Sequence, residues 1–254
     1  GWNIVGVPMI VEDSSYENLF PNAQSGTLYS FNGIYQEQEV LSNGTGYLLR
    51  MTVDGPVIFS GIPFNEVTIT LSEGWNLFSG LSTSISSDIM YNSDIVQGGT
   101  IYGLDGVYYE AETIEPGKGY WVRATQDGET TLSSGSSAKQ VSFVNRVEDA
   151  NSITFSNEKH STKLYFGAEI PEEEILSYSL PPTFPQMEFD VRFSGDMKYV
   201  KEAGDIEILN TSDFIFIDYN LSNKTDDNLI WVMTAQSGEE YILDGSDKII
   251  ISGN

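Results

Sequence analysis

One spacing organises the first half of the chain and limits what it can fold into. Gly1-Trp2-Asn3 returns as Gly74-Trp75-Asn76, Gly26-Thr27-Leu28-Tyr29 as Gly99-Thr100-Ile101-Tyr102, and Gly44-Thr45-Gly46-Tyr47 as Gly117-Lys118-Gly119-Tyr120, each time 73 positions later. Laid on 74–134 without a gap, residues 1–61 give 20 identities, 14 of them in the 30 positions from Gly26 to Gly55. Such a density reads as duplication, and a fixed period of this length means small units repeated in tandem. What both copies keep is mainly Gly, aromatic and aliphatic residues, the material of turns and cores. The repeat therefore points to scaffold before chemistry. A binding surface is expected where the copies differ, in 7–25 against 80–98, and at the chain ends.

Local patterning selects β structure. No stretch of a dozen residues keeps an i, i+3, i+4, i+7 apolar stripe free of Gly or Pro, apart from one short helical turn expected near Tyr16 to Phe20. Val67-Thr68-Ile69-Thr70-Leu71 alternates apolar and hydroxyl side chains. Asn32-Gly33 and its counterpart Asp105-Gly106 predict hairpins with type I′ turns, in which both central residues take positive φ. Val67–Leu71 is expected to close the first module, with Val141–Val144 as its counterpart. From about Asn151 the texture changes to short strands around a Pro-rich crossing, Leu180-Pro181-Pro182-Thr183-Phe184-Pro185, where proline excludes a central strand. The expected fold is all-β: two tandem homologous β modules, 1–73 and 74–148, followed by a C-terminal β-sandwich, 149–254.

Composition removes several function classes. With 37 acids against 12 bases the formal charge is −25, a poor match for a phosphate backbone that Lys and Arg must neutralise. Nucleic acid and anionic membrane are not expected partners. The absence of cysteine excludes disulfides and thiolate chemistry. His160 is the single histidine, so neither a His-based triad nor a two-His metal site can be built in one chain, and it reads as an exposed loop residue.

The Gly-Trp-Asn opening with its later Gly-x-Gly-Tyr strand resembles tandem modules near the C-termini of large secreted proteins of Bacteroidetes and related bacteria. Tyr178-Ser179-Leu180-Pro181-Pro182-Thr183-Phe184-Pro185 followed by Phe189-Asp190-Val191-Arg192-Phe193 is similar to the segment that precedes a type IX secretion sorting domain in those proteins. The resemblance implies an extracellular or cell-surface location and a non-catalytic module. Where the family continues into the sorting domain this chain stops at Asn254, which implies cleavage on export or a fragment.

Candidate sites follow. Glu37 and Glu39 align with Glu110 and Glu112, at i and i+2 on one strand face; a solvated outer face is the favoured reading and a cation site the alternative. Asp226-Asp227-Asn228 and Asp244-Gly245-Ser246-Asp247 are oxygen-rich, but turn chemistry explains both. No cofactor is expected, with Ca²⁺ as the alternative. Trp2 and Trp75 read as core, and Tyr35, Tyr108 and Tyr109 are the candidate glycan contacts. Trp2, Ile4 and Val5 at one end, and Ile249, Ile250 and Ile251 at the other, are candidates for strand pairing between subunits. The leading expectation is a non-enzymatic structural or adhesive surface protein, self-associating or bound to other surface proteins, as the subunit of an extracellular filament. The alternative is an accessory carbohydrate-binding module of a secreted glycan-degrading enzyme.

Overall fold

The computed structural model describes residues 1–137, 143–212, 214–222 and 230–252. The protein is mostly β, 44% strand and 7% helix, in several antiparallel sheets. Packing divides it into two units, Gly1–Phe143 and Val144–Asn254. Both copies of the repeat thus lie within the first.

That unit holds two four-stranded sheets with one strand order. The first runs Trp2–Val5, Tyr47–Arg50, Tyr29–Phe31, Tyr35–Glu37, and the second Gly74–Ser79, Gly119–Ala124, Tyr102–Asp105, Val107–Glu110. Registers agree at the 73-residue spacing, since Trp2 faces Arg50 and Trp75 faces Arg123. Buried polar groups are satisfied in the same way in each. Thr27 donates to the Gln24 carbonyl at 2.6 Å and Thr100 to that of Gln97 at 2.7 Å, while their oxygens accept from the Arg50 and Arg123 amides. The Tyr47 hydroxyl accepts from the Ser42 amide and that of Tyr120 from the Glu115 amide. An unpaired buried hydroxyl is costly, so these residues are fixed by the turns they close.

The kept Gly-x-Gly turns have a reciprocal purpose. The Gly6 amide donates to the Gly117 carbonyl at 3.0 Å, and the Ser79 amide to the Gly44 carbonyl at 3.0 Å. Bridges Val5–Lys118 and Thr45–Phe78 repeat the relation. Each turn docks on the end of the other copy's first strand. A Cβ on Gly46 would lie 2.5 Å from the Phe78 carbonyl oxygen, and one on Gly119 would lie 2.8 Å from that of Val5. Only glycine allows this approach. Phe31 meets Trp121 edge-on at 4.9 Å and Trp75 meets Trp121 at 6.2 Å, with Trp121 fully buried.

Three expectations are corrected. At the hairpins only Gly33 and Gly106 have positive φ, so neither turn is type I′; Asn32-Gly33-Ile34 forms a three-residue loop and Gly106 alone separates Asp105 from Val107. The strand Glu66–Leu71 does not complete the first sheet. It pairs with Gly128–Ser133, and Ile69 and Leu71 enter a core with Phe78, Leu81, Tyr120 and Leu132. Of its expected counterpart, Val141 and Ser142 lie outside the described residues, and Phe143 and Val144 are not in a strand. The gapless spacing also slips locally. Tyr16 donates its amide to the Glu39 carbonyl and Ser87 donates to that of Glu112, so residues at the helix start correspond at 71 rather than 73. The helical segment is Tyr16–Leu19 in one copy and the longer Ser87–Asn92 in the other.

The second unit is built on a five-stranded sheet in the order Tyr199–Val200, Ser161–Phe166, Asn151–Ser156, Phe214–Asn220, Ser246–Ser252. The pairs Phe189–Phe193 with Ile206–Asn210 and Trp231–Thr234 with Glu240–Leu243 complete it. The Pro-rich stretch contains no strand, as its prolines require. Arg192 holds it in place. This side chain, 2% exposed, takes both Asp190 oxygens at 2.5 and 2.8 Å, the Pro181 carbonyl at 2.9 Å and Asp196 at 2.6 Å. The Leu-Pro-Pro and Phe-Asp-Val-Arg-Phe elements of the motif are therefore joined through one guanidinium.

Candidate functional site

The slip at the helix start opens a space. In the first copy Tyr16 begins the helix, is 5% exposed, and its hydroxyl accepts from the Gly26 amide at 2.8 Å. The corresponding residue of the second copy is the small Ser87. The phenol that reaches the equivalent turn at Gly99 comes from Tyr91, near the other end of the segment. Beside Ser87 lies a cleft of about 720 Å³. Its floor is Ile85, Ile101 and Ala111, all buried. Phe143 forms a wall, its ring against the backbone of Gly98 and Gly99, where a Cβ on Gly99 would come within 2.7 Å. Asp88, Glu110 and Glu112 form an exposed rim, and among the described residues neither Lys nor Arg lines the cleft.

Burial pushes the Tyr91 hydroxyl up to about 12, against the pull of the Gly99 and Ile101 backbone and aided by Tyr102 and Glu110. The phenol is neutral at any physiological pH. The cleft thus offers an apolar floor, aromatic side chains, hydroxyls from Ser84, Ser86 and Thr113, and negative charge at the mouth. Among the described residues no group of three or more His, Asp or Glu side chains could hold a metal ion.

The residues singled out from sequence do not converge on one place. Glu110 and Glu112 reach the cleft rim and Glu37 and Glu39 are exposed, but Glu37 and Glu110 end their strands and Glu39 and Glu112 lie beyond them, so neither pair shares one strand face as expected. Of the glycan candidates, Tyr35 packs against Phe31 at 5.1 Å and Trp121 at 6.5 Å, Tyr108 is half-buried, and Tyr109 is 38% exposed with its ring over Gly103. Trp2, Ile4 and Val5 lie on a strand paired to Tyr47–Arg50, with Ile4 and Val5 buried. Ile249, Ile250 and Ile251 lie on Ser246–Ser252, paired to Phe214–Asn220 on one side. His160 is half-buried, 6.2 Å from the Phe189 ring, which corrects its reading as exposed. Asp226 and Asp227 lie outside the described residues. At Asp244–Asp247, Gly245 at φ 61° makes a turn and the Asp247 carboxylate accepts from the Lys248 amide.

Ser87, Asp88, Tyr91 and Phe143 were not singled out. The first three lie in the stretch where the copies differ, but gapless alignment sets Ser87 against Ser14 and hides its replacement of Tyr16. Phe143 comes from beyond the aligned repeat. No family model matches the chain, and no curated protein or solved structure matches it either.

Proposed function

We propose that residues 1–143 hold two copies of one β module, that the second unit is a β-sandwich, and that the protein is a non-enzymatic structural or adhesive component of the bacterial surface. Its copies join by strand addition. The observation that supports this reading is the position of Ser246–Ser252 at the edge of its sheet, where among the described residues no strand pairs with its outer side. Natural edges are blunted by lysine, proline or bulges. This one carries a single lysine, Lys248, which is paired to Asp218 at 2.8 Å. Beside the edge, Phe214, Phe216 and Ile250 are 54%, 39% and 65% exposed on the outer face, and Phe216 faces Ile250 in register. An added strand would extend the ladder and set its own side chains beside Ile250 on that face. Trp2–Val5 is also an edge strand, but Gly117 and Lys118 already engage its end at Val5 and Gly6. The surface location rests on the sequence resemblance.

Light scattering across a concentration series tests this reading, with negative-stain microscopy of the same samples. Average mass should rise with concentration and ordered assemblies should form, while Ile250→Lys should hold the protein at monomer mass. A wild-type chain that stays monomeric at every concentration overturns the reading. A glycan-binding accessory module is the second reading, favoured by the exposure of Tyr109; it requires a polysaccharide-dependent change in tryptophan fluorescence that Tyr109→Ala removes.

A further inference from the structure

The two copies differ most where one is filled and the other open. Tyr16 closes the first copy at its helix start; Ser87 leaves the second open above Ile85, Ile101 and Ala111. Ser25 of the first copy is Gly98 in the second, and on that glycine the Phe143 ring lies, its nearest atom 3.0 Å from where a Cβ would stand. Of these two smaller residues, Ser87 lines the cleft and Gly98 seats the Phe143 ring that walls it. That is how a core position becomes a binding position.

Shape and charge then select the ligand. The floor is apolar and the wall aromatic, which suits a hydrocarbon stem. Among the described residues, every charged side chain lining the cleft is acidic: Asp88 from the helical segment, Glu110 and Glu112 from and just beyond the strand Val107–Glu110. A low-dielectric floor beneath a one-signed rim concentrates counter-charge at the mouth. A neutral sugar would find acceptors for its hydroxyls at the rim but would bring no counter-charge and would place its other hydroxyls on an apolar floor. A ligand with an apolar stem and a cationic head satisfies both parts, and an aromatic wall adds cation–π attraction.

We infer that this cleft binds the cationic side chain of a Lys- or Arg-bearing peptide segment. The inference is independent of strand addition: a strictly monomeric protein that binds the peptide keeps this site and overturns that assembly.

The test is a titration of the ¹⁵N-labelled full chain with Ac-Gly-Arg-Gly-NH₂, followed by amide shifts. Amides of Ser87, Gly99, Ala111 and Glu112 should move together. The citrulline peptide, equal in shape but neutral, should bind at least about tenfold more weakly, as should Glu110→Gln/Glu112→Gln with the arginine peptide. Raising salt from about 20 to 200 mM should weaken binding, because exposed rim charges are screened. Ser87→Tyr, copying the first module, should block the cleft; the rim variant replaces only exposed side chains and keeps the test open if that one misfolds. Absence of shifts at about 10 mM arginine peptide overturns the inference. So does equal binding of the citrulline peptide, or cellobiose moving these amides when the arginine peptide does not.

Discussion

Arg192 shows how much of this chain's specification rests on single side chains. Its guanidinium is buried, and its four hydrogen bonds tie together a carboxylate two residues away, a proline carbonyl and a turn aspartate. Arg192→Met should destabilise the protein by about 3–5 kcal/mol, because it strands Asp190 in a dry site. Adding Asp190→Leu should recover much of that loss, since an apolar pair leaves no charge buried. Urea unfolding of the three proteins measures both. Two tyrosines make a separate prediction. Burial raises Tyr91 and Tyr120 to about 12, above the usual tyrosine value of 10.0. The folded state therefore holds their protons more tightly than the unfolded chain does. Their stabilising effect is complete below about pH 10 and is lost as pH rises through 12. Phenolate absorbance should lag behind that of a free tyrosine, and Tyr120→Phe should flatten the alkaline loss of stability.

Elements explain what the repeat preserves and what it conceals. Strand positions and the Gly-x-Gly turn were legible because they are written in the residues both copies keep; strand order was not, since it is set by pairing between segments far apart in the sequence. The reason for the glycines was not legible, since the clash they avoid is with the other copy's backbone. Gly46→Ala and Gly119→Ala should each cost about 1–3 kcal/mol or more by forcing that contact apart. Gly55→Ala, where a Cβ meets nothing within 4 Å, should change stability by less than about 0.5 kcal/mol. The turn types failed for a different reason. Asn-Gly permits a type I′ turn, but the pairing of Phe31 with Tyr35 leaves three residues to span the loop. Glu66–Leu71 was placed with the first module on order alone. Its Ile69 and Leu71 instead pack on residues of the second copy, a contact invisible to local pattern. The helical turn near Tyr16 is legible, but its true counterpart is hidden because a compensated two-residue slip keeps the flanking identities in place.

At the scale of the whole molecule, the residues repeated at 73 positions lie in turns and cores, and the stretch 80–98, where the repeat breaks down, lines the cleft. The cleft was half legible: the stretch 80–98 was marked by disagreement between copies, and Glu110 with Glu112 by their repetition. Phe143 and the exchange of Tyr16 for Ser87 depend on three-dimensional correspondence. The sheet edge was legible as a terminal apolar strand, but its outward Phe214 and Phe216 emerge only from the register with Ser246–Ser252. The central claim is that this edge accepts a strand from another copy. Amide hydrogen exchange across residues 246–252, compared at low and high protein concentration, tests it most directly. Outward-facing amides of that strand should become protected as mass rises, and Ile250→Lys should abolish the change. Equal exchange at both concentrations, in a sample that light scattering shows to be assembled, would contradict it.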